Sequence, residues 1–361
     1  MSTEARPSVT PPEVATTMSP RPEPPADART ARGPVLIAGA DRSGTTLLFA
    51  LLASHPNISM VRRTNMWRYF HRRYGDLGNQ AHLDRCLTDM LRYRRMQHLH
   101  PDRERIRREF LEGEPTYGRL FALFHQHHAE AMGKSRWGDK SLHTERYADR
   151  VFAEYPDARI VQMIRDPRDR YASVRKRHGR DVPRVGAATG RWLASTRDGR
   201  RNRRRYPGRY LVVRYEDLAM DPERVMRTVC AFIGEDYAPE MLSMEGAREH
   251  RDGGGNSSFG DVDTRTISTK AIGRFRTVLT RSELRYIELI AGRTMEAVGY
   301  RRERPTLSSS DRLRFYGVFV PGQLARTAFE AGWTRIRRWR GDRRPGFRFA
   351  DDPIAEATDG T

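Results

Sequence analysis

Four shortages shape this sequence, and each excludes something. Cysteine occurs twice in 361 residues, at Cys86 and Cys230. Two thiols make no disulfide framework, and the run between them has no metal-ligand spacing, so a reducing, cytoplasmic setting is the expectation. No apolar run approaches the roughly 20 residues that cross a bilayer, and a signal peptide's apolar core is missing from the start of the chain. Lysine is almost absent: of 66 basic residues only Lys134, Lys140, Lys176 and Lys270 are lysines. A lysine inside a motif is therefore more informative than an arginine. Residues 1–33 are short of apolar surface and hold seven of the 21 prolines. Such a composition does not offset the entropy of ordering, which predicts a disordered tail.

What the chain has in excess is positive charge. Set against 46 acidic residues, the basic ones leave a net charge of +20, which attracts polyanions without choosing among nucleic acid, anionic lipid and a multiply phosphorylated small molecule.

Order begins at "PVLIAG", a β-branched run that reads as a buried strand. "GTTLLFALLASHP" follows with the apolar spacing of a helix, stopped by Pro56 and Asn57. Residues 61–132 read as a helical insertion without strands, placed on the substrate side. Two more apolar runs read as strands, "ARIVQMI" at 158–164 and "RYLVVRY" at 209–215. Asp221 and Pro222 predict a helix start after the second. Strands alternating with helices predict an α/β fold of three layers around a parallel sheet, with ligands beyond the carboxyl ends of the strands. Residues 245–275 read as a long glycine-rich loop. From 306 to 361 the pattern is a basic helical extension and tail, so the domain itself is expected over 34–305.

Between the first strand and helix lies "GADRSGTT". Gly39 and Gly44 allow a tight turn, the amides of residues 43–46 can point into a concavity at a helix N-terminus, and Thr45 and Thr46 add hydroxyls. This is P-loop-like, yet Thr45 stands where a nucleotide triphosphatase carries its phosphate-binding lysine, and the strand ending at Ile164 leads into Arg165 instead of an acidic Mg²⁺ ligand. A P-loop kinase therefore fits poorly. A non-catalytic nucleic-acid binder is the other alternative, and no recognition motif for specific nucleic acid supports it.

"RSGTTLL" followed by "RDPRDRYASV" resembles the 5′- and 3′-phosphate motifs of the sulfotransferases that use 3′-phosphoadenosine-5′-phosphosulfate, most closely the bacterial members and the tyrosylprotein type. The resemblance implies a phosphosulfate-binding loop of Arg42, Ser43, Gly44, Thr45 and Thr46, with protein cations in place of a metal ion. Arg42 would stabilise charge on the bridging oxygen as the sulfate leaves. Arg165 and Ser173 match the pair that holds the 3′-phosphate, and Arg177 falls one helical turn further on. Tyr215 matches the tyrosine beside the adenine. Ser268, Gly273, Arg274 and Phe275 in "STKAIGRFR" match the loop that closes over the nucleotide, with Lys270 adding charge. Lys140 in "WGDKSLHTERY" matches the lysine that reaches the transferring sulfate, although Leu142 stands where the family commonly has proline.

The general base is where the resemblance fails. "ISMVRRTNMWRYF" has Arg62 and Arg63 where a glutamate is expected; Asp139 and His143 are the substitutes by proximity to Lys140, and Glu112 and Glu114 those that the helical insertion could bring near. The acceptor is open among small molecules such as phenols, lipids, carbohydrates and peptides. "HQHH" at 125–128 reads as a packed or solvated helix face rather than a metal site. The C-terminal "RIRRWRGDRRPGFR" reads as a solvated tail, the alternative being a peripheral contact with anionic membrane or nucleic acid.

Overall fold

The computed structural model describes residues 33–178, 184–247 and 267–340. All of the expected tail except Gly33, residues 248–266 of the glycine-rich stretch, and 341–361 lie outside the described residues.

Five strands, β1 (Val35–Ala38), β2 (Ile58–Arg62), β3 (Arg136–Lys140), β4 (Arg159–Ile164) and β5 (Tyr210–Arg214), pair wholly in parallel in the order β2-β3-β1-β4-β5. Alternate side chains of β1 serve two cores. Val35 and Ile37 pack with Leu48, Leu51 and Leu52 of helix α1 (Thr45–Ala53), whereas Leu36 and Ala38 face the cluster containing Phe121 and Phe124. A sheet buried on both faces needs helices on both, which makes the three layers.

The sequence reading finds β1, β4 and β5 and omits β2 and β3. β2 enters the stretch expected to be strand-free, through Val61 and Arg62. β3 reads RWGDK, with three charged residues, yet every position is buried. Its polar groups are satisfied by tertiary partners: Arg136 donates to Gly33 O, Ile233 O and Glu235, and Asp139 accepts from Thr64 Oγ1 at 2.9 Å. Hydropathy alone cannot register such a strand. The rest of the insertion is helical as expected, including Gln80–Arg92, Arg103–Leu111 and Tyr117–Ala131.

A 21-residue helix, Val185–Arg205, also escapes the sequence reading. Its glycines lower helix propensity, but they admit close neighbours: a Cβ on Gly199 would lie 2.2 Å from Gln162 Oε1, and one on Gly186 2.2 Å from Gln323 O. The latter contact belongs to the C-terminal helix Val320–Arg340, whose Gln323 side chain accepts from Gly186 N and whose Thr327 hydroxyl donates to Gly186 O. The "HQHH" histidines are structural. His125 is buried, bonds Phe121 O and stacks on Trp137 at 4.5 Å, while His127 meets Glu109 at 2.7 Å.

Candidate functional site

The site is built where the five strands end. The turn after β1 carries three residues with left-handed φ: Gly39 at 134°, Arg42 at 61° and Gly44 at 89°. Two of these positions demand glycine for space as well as conformation. A Cβ on Gly39 would fall 2.6 Å from Met163 O, and one on Gly44 2.5 Å from the Tyr215 ring. No side chain caps α1, whose N-cap is Gly44, so its first turn presents amides and a partial positive charge to the cleft. Of the amides expected there, Ser43 N turns inward to Ala40 O at 3.3 Å.

From this loop a connected set of groups runs toward β4 and β5. Arg42 Nε donates to Ser173 Oγ at 2.8 Å. Arg165 donates to Arg42 O at 3.3 Å and to Ala271 O at 2.7 Å, and its guanidinium lies 4.4 Å from the centre of the Tyr215 ring. Arg165 Nε is buried without a hydrogen-bond partner among the described residues. Arg177 closes the helix Pro167–His178, but its side chain lies outside the described residues.

Toward β3, Lys140 is almost fully buried and reaches Thr46 Oγ1 at 3.4 Å. Burial, then Arg63 and Arg62, depress its pKa to about 7. Asp139 points to the opposite face, as successive strand residues must, and burial raises its carboxyl to about 6 against the Ser141 and Thr64 hydrogen bonds.

The proposed bases do not converge on Lys140. His143 is bound up with Glu145, 3.4 Å away, on the face covered by helix Val185–Arg205. Glu112 and Glu114 are exposed shortly before Gly118, which donates to Glu154 near the amino end of β4. Arg62 and Arg63, by contrast, stand beside Lys140: Arg62 pairs with it in register and Arg63 N donates to its carbonyl at 2.9 Å.

Segment 267–275 is tied to the same edge. Asp169 accepts from Gly273 N at 2.7 Å and Phe275 N at 2.9 Å, Arg274 Nε donates to Lys270 O, and Lys270 N to Ser268 Oγ. Lys270 is exposed, whereas Phe275 is buried under Arg168 and faces the core. Two residues that hold the site together have no motif of their own in the sequence. Asp169 lies inside "RDPRD", and Glu145, two residues after His143, is fully buried, accepting from Gly39 N at 3.0 Å and Ser195 Oγ at 2.6 Å. An acidic residue directly beside each cationic motif is the signal that marks them.

The sequence model described as "Sulfotransferase family" matches residues 34–239, over half the chain and nearly all of this geometry. The chain belongs to the sulfotransferase family. It is 38% identical over 95 residues to human carbohydrate sulfotransferase 2, covering 26% of this chain and 18% of that one. To mouse carbohydrate sulfotransferase 5 it is 29% identical over 103 residues, covering 28% and 26%. The chain thus spans well under a third of the length of the curated relatives it matches. Among solved structures it is similar to the sulfotransferase domain of the Synechococcus PCC 7002 olefin synthase, at 21% identity and a TM-score of 0.48, over 73% of this sulfotransferase and 96% of that domain.

Proposed function

We propose that this sulfotransferase moves the sulfuryl group of 3′-phosphoadenosine-5′-phosphosulfate onto a hydroxyl or amine of its acceptor. The observation that carries the reading is the unbroken contact chain Ser173–Arg42–Arg165–Tyr215 beside an uncapped helix N-terminus. That chain offers several anion-binding points and an aromatic surface at one end of them. The Arg165 Nε left without a partner among the described residues, and the Tyr215 ring seated directly against Gly44, fit a phosphorylated nucleotide.

In this reading the amides at the start of α1 and Arg42 hold the 5′-phosphosulfate. Arg165 and Ser173 bind the 3′-phosphate, and Tyr215 lies against the adenine. The segment 267–275, latched by Asp169, covers the nucleotide. Arg42 and Lys140 act where negative charge grows: the bond from sulfur to the bridging oxygen breaks, the acceptor oxygen or nitrogen takes the sulfuryl group, and 3′,5′-bisphosphoadenosine departs with the electron pair. The acceptor loses its proton to a base other than the four carboxylate and histidine candidates. Cationic side chains do the neutralising that a divalent ion does in kinases.

Titration calorimetry tests this. Binding of 3′,5′-bisphosphoadenosine in EDTA should exceed that of ATP with Mg²⁺, and Arg165→Ala should weaken the bisphosphate about ten-fold or more, with little effect on adenosine 5′-phosphate. A preference for Mg-ATP, or equal losses for both nucleotides, would reject it.

A further inference from the structure

A surface helix ordinarily packs an apolar stripe on the core and shows its polar face to water. The helix Val320–Arg340 does the reverse. Beyond Val320, the described side chains that it buries are Gln323 and Thr327. Gln323 Oε1 accepts from Gly186 N at 3.1 Å, while Thr327 Oγ1 donates to Gly186 O at 2.8 Å and lies 2.7 Å from Tyr286 OH. One turn on, Glu330 accepts from Arg191 at 2.7 Å. Gly190 lets the two backbones close in, since a Cβ there would fall 2.8 Å from Thr327 O. These bonds fix which face of the helix looks outward.

That outward face is apolar. Of the eleven large apolar side chains exposed among the described residues, seven lie between Leu313 and Ile336, so exposure is concentrated on this one stretch. Phe329 is 65% exposed and Ile336 46%, and Trp333 stacks on Phe329 with ring centres 6.0 Å apart. Ala325, Phe329, Trp333 and Ile336 recur at three- and four-residue spacing, which aligns them on one side, away from Gln323 and Thr327. The row is about 16 Å long at 1.5 Å per residue. Single exposed apolar residues are ordinary, but a continuous row of them marks a docking surface.

Charge names the occupant. From Arg312 to Arg340 the sequence holds seven arginines and one carboxylate, that of Glu330, in a chain of net charge +20. Arg312 and Arg314 precede the row, and Arg335, Arg337, Arg338 and Arg340 cluster at its end. A second copy laid along it, parallel or antiparallel, would set arginines against arginines, whereas an anionic lipid surface suits both the apolar row and the basic ends. No helix among the described residues is long and apolar enough to cross a membrane. We infer that the helix Val320–Arg340 lies along the surface of an anionic bilayer, with Phe329, Trp333 and Ile336 between the upper acyl chains and the arginines at headgroup level. This docking goes beyond the sulfuryl-transfer reading and does not depend on it.

Co-sedimentation of the full chain with vesicles tests it. In about 0.1 M salt, vesicles of phosphatidylcholine with about 30% phosphatidylglycerol should bind about ten-fold or more tightly than pure phosphatidylcholine. Phe329→Ser/Ile336→Ser removes apolar surface without changing charge and should weaken binding to the anionic vesicles about ten-fold. Phe329→Leu/Ile336→Leu keeps that surface and should bind like wild type. Both side chains being exposed, the serine variant should unfold thermally within about 2 °C of wild type. Equal binding to the two kinds of vesicle, binding to neither, or undiminished binding by the serine variant, which is adsorption through charge alone, would overturn the inference. So would a serine variant that fails to fold, because the row would then be covered by the protein itself. A lipid-free dimer in sedimentation velocity that the serine variant dissociates would give the face to a second copy and overturn it too.

Discussion

Replacing Lys140 by methionine should make the protein more stable and less active, and the size of the first effect follows from the site. Lys140 is 3% exposed, and burial, then Arg63 and Arg62, lower its pKa from the ordinary 10.5 to about 7. That difference corresponds to roughly 4–5 kcal/mol of cost for holding the charge in the folded state. Relaxation and loss of the Thr46 contact reduce it, leaving about 2 kcal/mol to be recovered by an apolar side chain of similar length. The sign follows from the proton balance. Below pH 7 the lysine is charged in both folded and unfolded chains, and the folded state bears the whole cost. Between pH 7 and 10.5 the folded state has released its proton while the unfolded one has not, so the cost shrinks as pH rises. Thermal or urea unfolding of Lys140→Met against wild type should therefore show a gain on the order of 4 °C at pH 6, narrowing by pH 9. On the role proposed for Lys140, the same variant should lose about 10²–10³ in kcat, because the cation that would stabilise the developing charge is gone. A variant less stable than wild type at pH 6, or a gap independent of pH, would refute the reasoning.

Other outcomes follow from the same geometry. Gly44→Ala should lose nearly all affinity for 3′,5′-bisphosphoadenosine in calorimetry, since its Cβ would meet the Tyr215 ring at 2.5 Å with φ at 89°. Asp169→Asn removes the carboxylate that holds two amides of segment 267–275; faster amide exchange there and about ten-fold weaker bisphosphate binding should result, with global stability changing less. Glu145→Gln should destabilise the fold by about 2–4 kcal/mol in urea unfolding at pH 7. Burial alone would raise the Glu145 pKa, but His143, Arg146 and Ser195 bring it down to about 2. The stabilisation from its charge is thus present above about pH 4.5 and is lost toward pH 2, so wild type and variant should converge on acidification.

The parts of the proposed donor site that lie next to each other in sequence were legible. "GADRSGTT" and "RDPRDRYAS" each follow an apolar strand directly, so chain connectivity alone puts them at the carboxyl edge, and Arg42, Arg165, Ser173 and Tyr215 meet there. The β2–β3 end of the same edge was not. β2 and β3 hide because their polar residues are buried against partners far away in the chain: Asp139 with Thr64, 75 residues off, and Arg136 with Glu235, 99 residues off. Without those strands, Arg62 and Arg63 mark only a missing glutamate, and closeness in sequence to Lys140 (Asp139, His143) or membership of the helical insertion (Glu112, Glu114) stands in for the face each residue occupies.

By itself, then, the sequence determined what a local pattern can encode: a strand–glycine-turn–helix unit, a second cationic motif after another strand, and helices around a parallel sheet. Only the tertiary structure decided the order β2-β3-β1-β4-β5, and with it which cations share an edge. Strand order and the burial of charge depend on contacts between residues a hundred positions apart, and no periodicity along the chain carries that information.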